Sequence, residues 1–115
     1  MLSSGDVVEL DLGLPVGRQA GFAHPAVVVT AQRILDGDPT VIQVVPLTST
    51  VRSFRSEVQI EPDSANGLIT RSAAQCQHVR ALSTGRVGGV RGNVGPMVLS
   101  KVREALGLIF DLTRS

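Results

Sequence analysis

Alternating apolar and polar residues mark the first predicted strand of the chain. In SSGDVVELDL, residues 3–12, the positions Val7, Glu9 and Asp11 alternate with three apolar positions that begin at Val8. Successive side chains of a strand point to opposite faces. The pattern therefore predicts a strand with one buried face.

Four further runs of residues predict strands. PAVVVTA and VIQVVPL are rich in β-branched residues, and SEVQIEP and SAAQCQHVRAL alternate between polar and apolar positions. In the last run Cys76, His78 and Arg80 would share one face, as far as the alternation can assign faces. The turn-forming stretches LDGDPT and PDSANG separate some of these runs.

The segment GLPVGRQAGFAH, residues 13–24, shows neither strand nor helix periodicity. It contains Pro15 and three glycines and ends at His24, directly before the second predicted strand. This composition predicts a loop of roughly a dozen residues, a length that is uncommon unless the loop binds something. His24 then stands where a loop becomes a strand, which is a common place for catalytic side chains.

The period of the apolar positions changes near the C-terminus. In GNVGPMVLSKVREALGLIFDL, Pro96 suits a first helical turn. One apolar stripe follows, formed by Val98, Leu99, Val102, Ala105, Leu106, Ile109 and Phe110. We expect a C-terminal amphipathic helix that packs on a sheet. Five or more short strands followed by one helix predict a mainly β domain, a small barrel or a strongly bent sheet.

Composition narrows the class of protein. The chain has 115 residues, 43% of them hydrophobic, and a formal charge of +1. Its length predicts one domain, residues 1–115, and its charge provides no global basic field for nucleic acid. A single cysteine cannot form an internal disulfide, and no apolar run approaches the length of a membrane span, so we expect a cytoplasmic protein.

Metal and nucleophile motifs are weak in this sequence. The spacing Cys76-x-His78 is too short for an ordinary zinc half-site, and few further ligands are available. A Cys/His nucleophile pair on the same residues lacks a clear carboxylate to orient it. We expect Cys76 to be a small buried side chain and the protein to hold no metal.

The order and spacing of the blocks GDVVELDL, HPAVVV, VVPLTST, SEVQI, SAAQCQHVRAL and GRVGGVRGNVG, followed by a final helix, resemble the MazF/PemK (Kid) family of toxin endoribonucleases over essentially the whole chain. The resemblance implies an SH3-like β-barrel and a homodimer. It also implies cofactor-free and metal-independent cleavage of single-stranded RNA at short sequences, with 2′,3′-cyclic phosphate and 5′-hydroxyl products. An antitoxin partner that occupies the RNA groove is implied as well.

The resemblance assigns two catalytic positions. The family usually has an arginine directly before the proline of the second strand, and this chain has His24 there; the family threonine that closes the third strand corresponds to Thr48. Imidazole suits proton transfer near neutral pH, so His24 is expected to act as general acid or base. We expect the Thr48 hydroxyl to hydrogen-bond the scissile phosphate.

Two alternatives to an active nuclease stay open. Histidine offers two hydrogen-bond donors where a guanidinium offers five, so the chain is also consistent with an attenuated member that binds RNA and antitoxin without efficient cleavage. A CcdB-like protein, which has a related barrel and binds a topoisomerase without catalysis, is the third reading. Cleavage of naked RNA without metal or partner discriminates among them.

Seven further residues are candidates for RNA binding. Arginines can pair with phosphate, Gln77 and Ser72 can read base edges, and Phe22 can stack on a base. A solvated surface position is the simpler role for Arg18 and Arg52, and a loop anchor is an equally simple role for Phe22. The candidates are Arg18, Gln19, Phe22, Arg52, Ser72, Gln77 and Arg80.

Overall fold

The computed structural model describes residues 1–11 and 24–112. Within these ranges the chain forms seven strands and two α-helices. The strands are β1 (Asp6–Leu10), β2 (Pro25–Val28), β3 (Val41–Thr48), β4 (Glu57–Ile60), β5 (Ser72–Gln75), β6 (Arg80–Ser83) and β7 (Val87–Asn93). The helices are α1 (Gln32–Leu35) and α2 (Gly95–Ile109), and 3₁₀ turns occupy Cys76–His78 and Thr84–Arg86.

All strand pairs are antiparallel and form one bent, barrel-like sheet. The order is β4-β5-β3-β2-β1-β7, and β6 also pairs with β3. The β1 and β7 strands meet with register shifts at Val7/Val8 and at Glu9/Leu10. Such irregularities increase the local bend of a sheet. The predicted mainly β fold with a C-terminal helix is confirmed.

Alternate residues of the central strands enter two apolar clusters on opposite faces. The first cluster packs against α2 and takes Val7, Val27 and Val45. The second cluster packs against α1 and takes Val8, Val28 and Val44. The prediction of one buried face for β1 is therefore wrong. The bent sheet buries both faces of β1, one under α2 and the other against β6 and Leu35 of α1, so Val7 and Val8 are both inaccessible to solvent.

The stretch SAAQCQHVRAL is two strands rather than the one predicted. The 3₁₀ turn Cys76–His78 separates β5 from β6, and both strands pair with different parts of β3. A turn of three residues breaks the twofold alternation of a strand. A single strand would have put Cys76 and His78 on one face. In the structure they do not share a face, because Cys76 is buried and His78 is exposed.

The helix α2 begins with Pro96 in its first turn and closes the first cluster, as predicted. Leu99, Val102 and Ala105 are buried, whereas Ile109 and Phe110 at its end are 40% and 54% exposed. The short helix α1 had no signal in the periodicity. Among residues 1–11 and 24–112 no helix is both long and apolar enough to cross a membrane.

Candidate active site

The pairing of β2 with β3 puts the two predicted catalytic residues at the same end of these strands. Ala26 pairs with Pro46, and Val27 pairs with Val45. His24 stands two residues before Ala26, and Thr48 stands two residues after Pro46. Thr48 pairs with Ala73 of β5 and is not among the described residues that line the cleft around His24.

A hydrogen bond to β1 holds the backbone of His24. The amide of Leu10 donates to the carbonyl oxygen of His24 at 2.9 Å. This bond continues the ladder between β1 and β2, in which Glu9 pairs with Pro25. The imidazole is therefore carried by a fixed backbone, although the residue lies just outside β2.

A cleft of about 370 Å³ opens at this end of the second cluster. It is lined by Leu10, His24, Pro25, Pro46, Leu47, His78 and Arg80. Two imidazoles and one guanidinium thus share a surface with apolar walls from β1, β2 and β3. His78 and Arg80 are exposed and His24 is half-buried, so an incoming ligand can reach all three.

A larger cavity, of about 550 Å³, lies elsewhere on the second cluster. Its lining includes Leu35, Ile42 and Val87, and Asp38 supplies the one ionisable side chain among its described lining residues. Acid and base chemistry needs convergent titratable groups. The smaller cleft is therefore the candidate site.

The hydroxyl of Thr48 has a defined role as an acceptor. Its Oγ1 accepts a hydrogen bond from the amide of Thr50 at 3.1 Å. Thr48 is half-buried at the end of β3, where it pairs with Ala73 of β5. An amide that donates to this oxygen leaves the hydroxyl hydrogen free to donate to a ligand.

Arg52 and Gln77 are bound to a buried carboxylate instead of facing the cleft. Both donate to Glu57 Oε2, Arg52 Nη2 at 2.6 Å and Gln77 Nε2 at 2.7 Å, and Gln75 Nε2 lies at 3.5 Å from the same oxygen. The Glu57 side chain is only 2% exposed. The guanidinium of Arg52 also stacks on the Phe54 ring, 4.5 Å from its centroid. Glu57 therefore ties the segment after Thr48 to the turn that carries His78.

The remaining predicted residues are spread over the molecule. Arg18, Gln19 and Phe22 lie outside the described residues. Ser72 is buried at the start of β5, where its hydroxyl donates to the carbonyl oxygen of Thr70 at 3.1 Å. Of the seven candidates for RNA binding, Arg80 is the one that the described structure brings into the cleft.

Sequence reasoning missed His78 as a site residue. It treated this histidine only as a partner of Cys76, because a continuous strand would place both on one face. The signal that pointed to it was the scarcity of histidine: the chain has two, and both line this cleft. Glu57 was also missed, since nothing in SEVQIEP marks its carboxylate as buried.

Cys76 belongs to the core. Its side chain is fully buried, and burial raises the pKa of the thiol to about 11, which keeps it protonated at neutral pH. A protonated thiol is a poor nucleophile. In residues 1–11 and 24–112, no three His, Cys, Asp or Glu side chains form a group that could hold a metal ion.

Glu57 gives the fold an acid-sensitive contact. Burial raises the pKa of its carboxyl, but the hydrogen bond from Gln77, the hydrogen bond and charge of Arg52, and the hydrogen bond from Gln75 together outweigh burial. The pKa therefore lies below its ordinary value of 4.5. Because the unfolded chain takes up this proton first, the stabilisation is complete above about pH 4.5 and is lost as pH falls towards the folded-state pKa.

We expect Glu57→Gln to lower the free energy of unfolding at pH 7 by about 1–3 kcal/mol, because it removes the charge from three hydrogen bonds at a buried site. Urea unfolding at pH 7 and at pH 3.5 measures this, and the variant should lose less stability on acidification than the parent chain. Glu61→Gln is the matched control, since the Glu61 pair with Arg71 is exposed on both sides. Its effect should stay below about 0.5 kcal/mol. Equal effects of the two substitutions would contradict a special role for Glu57.

Comparison with known proteins agrees with this fold. The family described as PemK-like, MazF-like toxin of type II toxin-antitoxin system matches residues 3–110. Endoribonuclease MazF9 of Mycobacterium tuberculosis (strain ATCC 25618 / H37Rv) is 32% identical over 119 residues, which cover 97% of this chain and 98% of that protein.

Solved structures share the fold at lower identity. Mycobacterium tuberculosis toxin MazF-mt6 superposes with a TM-score of 0.75 at 24% identity and covers 95% of this chain and 99% of its own. An endoribonuclease in complex with its cognate antitoxin, from a mycobacterial species, has a TM-score of 0.77 at 22% identity, with complete coverage of both chains. With a family match from residue 3 to residue 110, the chain belongs to the PemK-like, MazF-like toxins of type II toxin-antitoxin systems.

Proposed function

We propose that this chain is an endoribonuclease toxin that cleaves single-stranded RNA in the cleft between His24 and Arg80, without a metal ion. The observation that carries the proposal is the open cleft that His24 shares with the guanidinium of Arg80, at the end of β3 that Thr48 closes. Family membership and the likeness to MazF9 support the same reaction class.

Cleavage of this kind needs three functions. A base must take the proton of the ribose 2′-hydroxyl, a donor must stabilise charge on the phosphorane, and an acid must protonate the departing 5′-oxygen. His24 is assigned the proton transfer, because imidazole is the side chain that most often serves as general acid or base. The Thr48 hydroxyl, which already accepts from the Thr50 amide, donates to a phosphate oxygen. The products would be a 2′,3′-cyclic phosphate and a 5′-hydroxyl.

Arg80 is the source of positive charge in this scheme. It pairs with Val44 of β3, which belongs to the second cluster, so its side chain leaves β6 on the face that carries the cleft. Arginine donates to two phosphate oxygens at once, which positions the scissile group as well as neutralising it. Arg52 is committed to Glu57 and Phe54, and we assign it a structural role.

A cognate antitoxin is the proposed protein partner. The solved structures with this fold include a mycobacterial endoribonuclease in complex with its cognate antitoxin and MazE-MazF of Deinococcus radiodurans. We propose that such a partner inhibits the chain by covering the cleft. Exposed apolar side chains at the end of α2, Leu108, Ile109, Phe110 and Leu112, are consistent with the proposed homodimer.

An attenuated nuclease is the second candidate function, favoured by His24 itself. A histidine provides fewer donors to a phosphate than the arginine that the family usually has at this position. In that case the chain would bind RNA and antitoxin but cut slowly. The rate of cleavage decides between the two candidates.

The test is single-turnover cleavage of a mixed-sequence RNA in the presence of EDTA, followed by identification of the product ends. We expect cleavage with cyclic phosphate and 5′-hydroxyl ends, and a loss of about 10²–10³-fold in Thr48→Val, which removes one donor to the phosphate. Thr50→Val is the matched control, because it keeps the amide that bonds Thr48 Oγ1 and should retain the parent rate. Absence of cleavage in EDTA that returns with a divalent cation would overturn the metal-free proposal.

A further inference from the structure

Both described histidines of the chain line one cleft, although they are 54 positions apart in sequence. We infer that His78 is a second catalytic residue, which forms an acid and base pair with His24. The inference rests on the proposed function, because it concerns RNA cleavage in the same cleft. In the proposed scheme His24 alone would have to take the proton of the 2′-hydroxyl and protonate the 5′-oxygen. A second imidazole supplies the missing acid or base.

The sheet places the two imidazoles on either side of β3. On one side β2 pairs Ala26 with Pro46, and on the other β6 pairs Arg80 with Val44. His24 directly precedes β2, and His78 stands two residues before the start of β6, so both histidines are at the N-terminal ends of strands that flank β3. Pro46 lines the cleft together with both histidines. A phosphodiester bound above Pro46 would therefore lie between the two imidazoles, the arrangement that an in-line displacement requires.

The 3₁₀ turn directs its three side chains to three different partners. Three residues complete one turn of this helix, so consecutive side chains diverge widely. Cys76 Sγ points to the core, 3.8 Å from the carbonyl oxygen of Val102, and Gln77 donates to Glu57. The His78 side chain lines the cleft, and the contacts of Cys76 and Gln77 hold the turn in place. This arrangement gives the imidazole a fixed backbone and an open side chain.

Among the described residues that line the cleft, Arg80 of β6 is the charged group beside the two imidazoles. The β3 strand contributes Pro46 and Leu47, which are uncharged. From β4, Glu57 reaches Gln77 and is paired with Arg52.

Two carboxylates flank Leu10 in sequence, Glu9 within β1 and Asp11 directly after it. Glu9 bonds Arg91 at 2.7 Å, and the backbone of Asp11 contacts Arg86. The described residues that line the cleft include no carboxylate, so the phosphate of the substrate supplies the negative charge there.

The step balances without a further reactant. One imidazole takes the proton of the 2′-hydroxyl, the 2′-oxygen bonds to phosphorus, and the bond from phosphorus to the 5′-oxygen breaks. The other residue, as imidazolium, gives its proton to that 5′-oxygen. One histidine ends protonated and the other neutral, and exchange with solvent restores the starting pair.

The experiment compares the parent chain with His78→Gln and His24→Gln in single-turnover cleavage from pH 5 to pH 9, at saturating RNA in EDTA. We expect a bell-shaped profile for the parent, because one imidazole must be neutral and the other protonated. Each variant should cut about 10²–10⁴-fold more slowly and lose one limb of the profile. Matching thermal unfolding of the three proteins controls for folding.

A second substrate separates catalysis from packing. RNA with a 5′-bridging sulfur has a leaving group that departs without a proton. The variant that lacks the acid should therefore recover to within about tenfold of the parent on this substrate, while the variant that lacks the base should not recover. A merely structural loss would affect both substrates equally.

The outcomes distinguish this inference from the proposed function. If His78→Gln keeps the parent rate and both limbs, or changes only the affinity for RNA, His78 is not an acid or base and the nuclease assignment stands. If the parent chain cuts no RNA at any pH, the proposed function and the inference both fail.

Discussion

Replacing His24 with alanine is expected to lower single-turnover cleavage of RNA at pH 7 by about 10²–10⁴-fold, the usual contribution of a positioned general acid or base. The fold should survive, because the contact that fixes residue 24 to β1 is a backbone hydrogen bond from Leu10. Cleavage rates together with thermal unfolding of both proteins measure the two effects separately. A rate for His24→Ala within threefold of the parent would remove His24 from the mechanism.

His24→Arg tests what the histidine does at a position where the family usually has arginine. If His24 transfers a proton, the arginine variant should lose the limb of the pH profile that His24 contributes, because a guanidinium stays charged throughout that range. Efficient cleavage by His24→Arg beside an inert parent chain would instead identify His24 as the cause of attenuation. The same substitution therefore separates the two candidate functions.

Gly92→Ala is expected to destabilise the fold by about 4 kcal/mol or more, or to prevent folding, because the added methyl group has no space. A Cβ atom at this position would lie 2.3 Å from the carbonyl oxygen of Ala65 and 2.6 Å from the carbonyl carbon of Asn66. These are backbone atoms of a turn that cannot move aside freely. The Asn93 amide donates to the same Ala65 oxygen at 2.9 Å, and that bond would be strained or lost.

Gly89→Ala is the matched control on the same strand. A Cβ at residue 89 meets nothing within 4 Å, so this substitution should change the free energy of unfolding by less than about 1 kcal/mol. Urea unfolding of the two variants and the parent is the measurement. Similar midpoints for Gly92→Ala and Gly89→Ala would contradict the close approach of β7 to the turn.

The local pattern of the sequence determined most of the elements. Alternation and β-branched runs predicted β1 to β4, and the apolar stripe predicted α2, because each depends only on neighbouring residues. Resemblance then pointed to His24 and Thr48 as catalytic residues, and the pairing of β2 with β3 puts both at the same end of these strands. Their roles in cleavage stay predictions, as do those of Arg18, Gln19, Phe22 and Ser72.

Tertiary structure decided which of these side chains can act together. The pattern of β1 could not show that both faces of this strand are covered in the folded chain, so Val7 was assigned to the wrong environment. SAAQCQHVRAL alternates like one strand, but separate pairing of its two halves with β3 inserts a turn and redirects His78 into the cleft. The same folding buries the Glu57 side chain. Arg52 and Gln77 donate to its carboxylate and therefore do not face the cleft.

The physical reason is the range of the interactions. Alternation is set by the geometry of a single strand, whereas pairing, register and burial depend on residues that are tens of positions apart. The sequence by itself therefore determined most of the elements and one histidine at a loop end. Only the tertiary structure decided that a second histidine and Arg80 join it in the cleft.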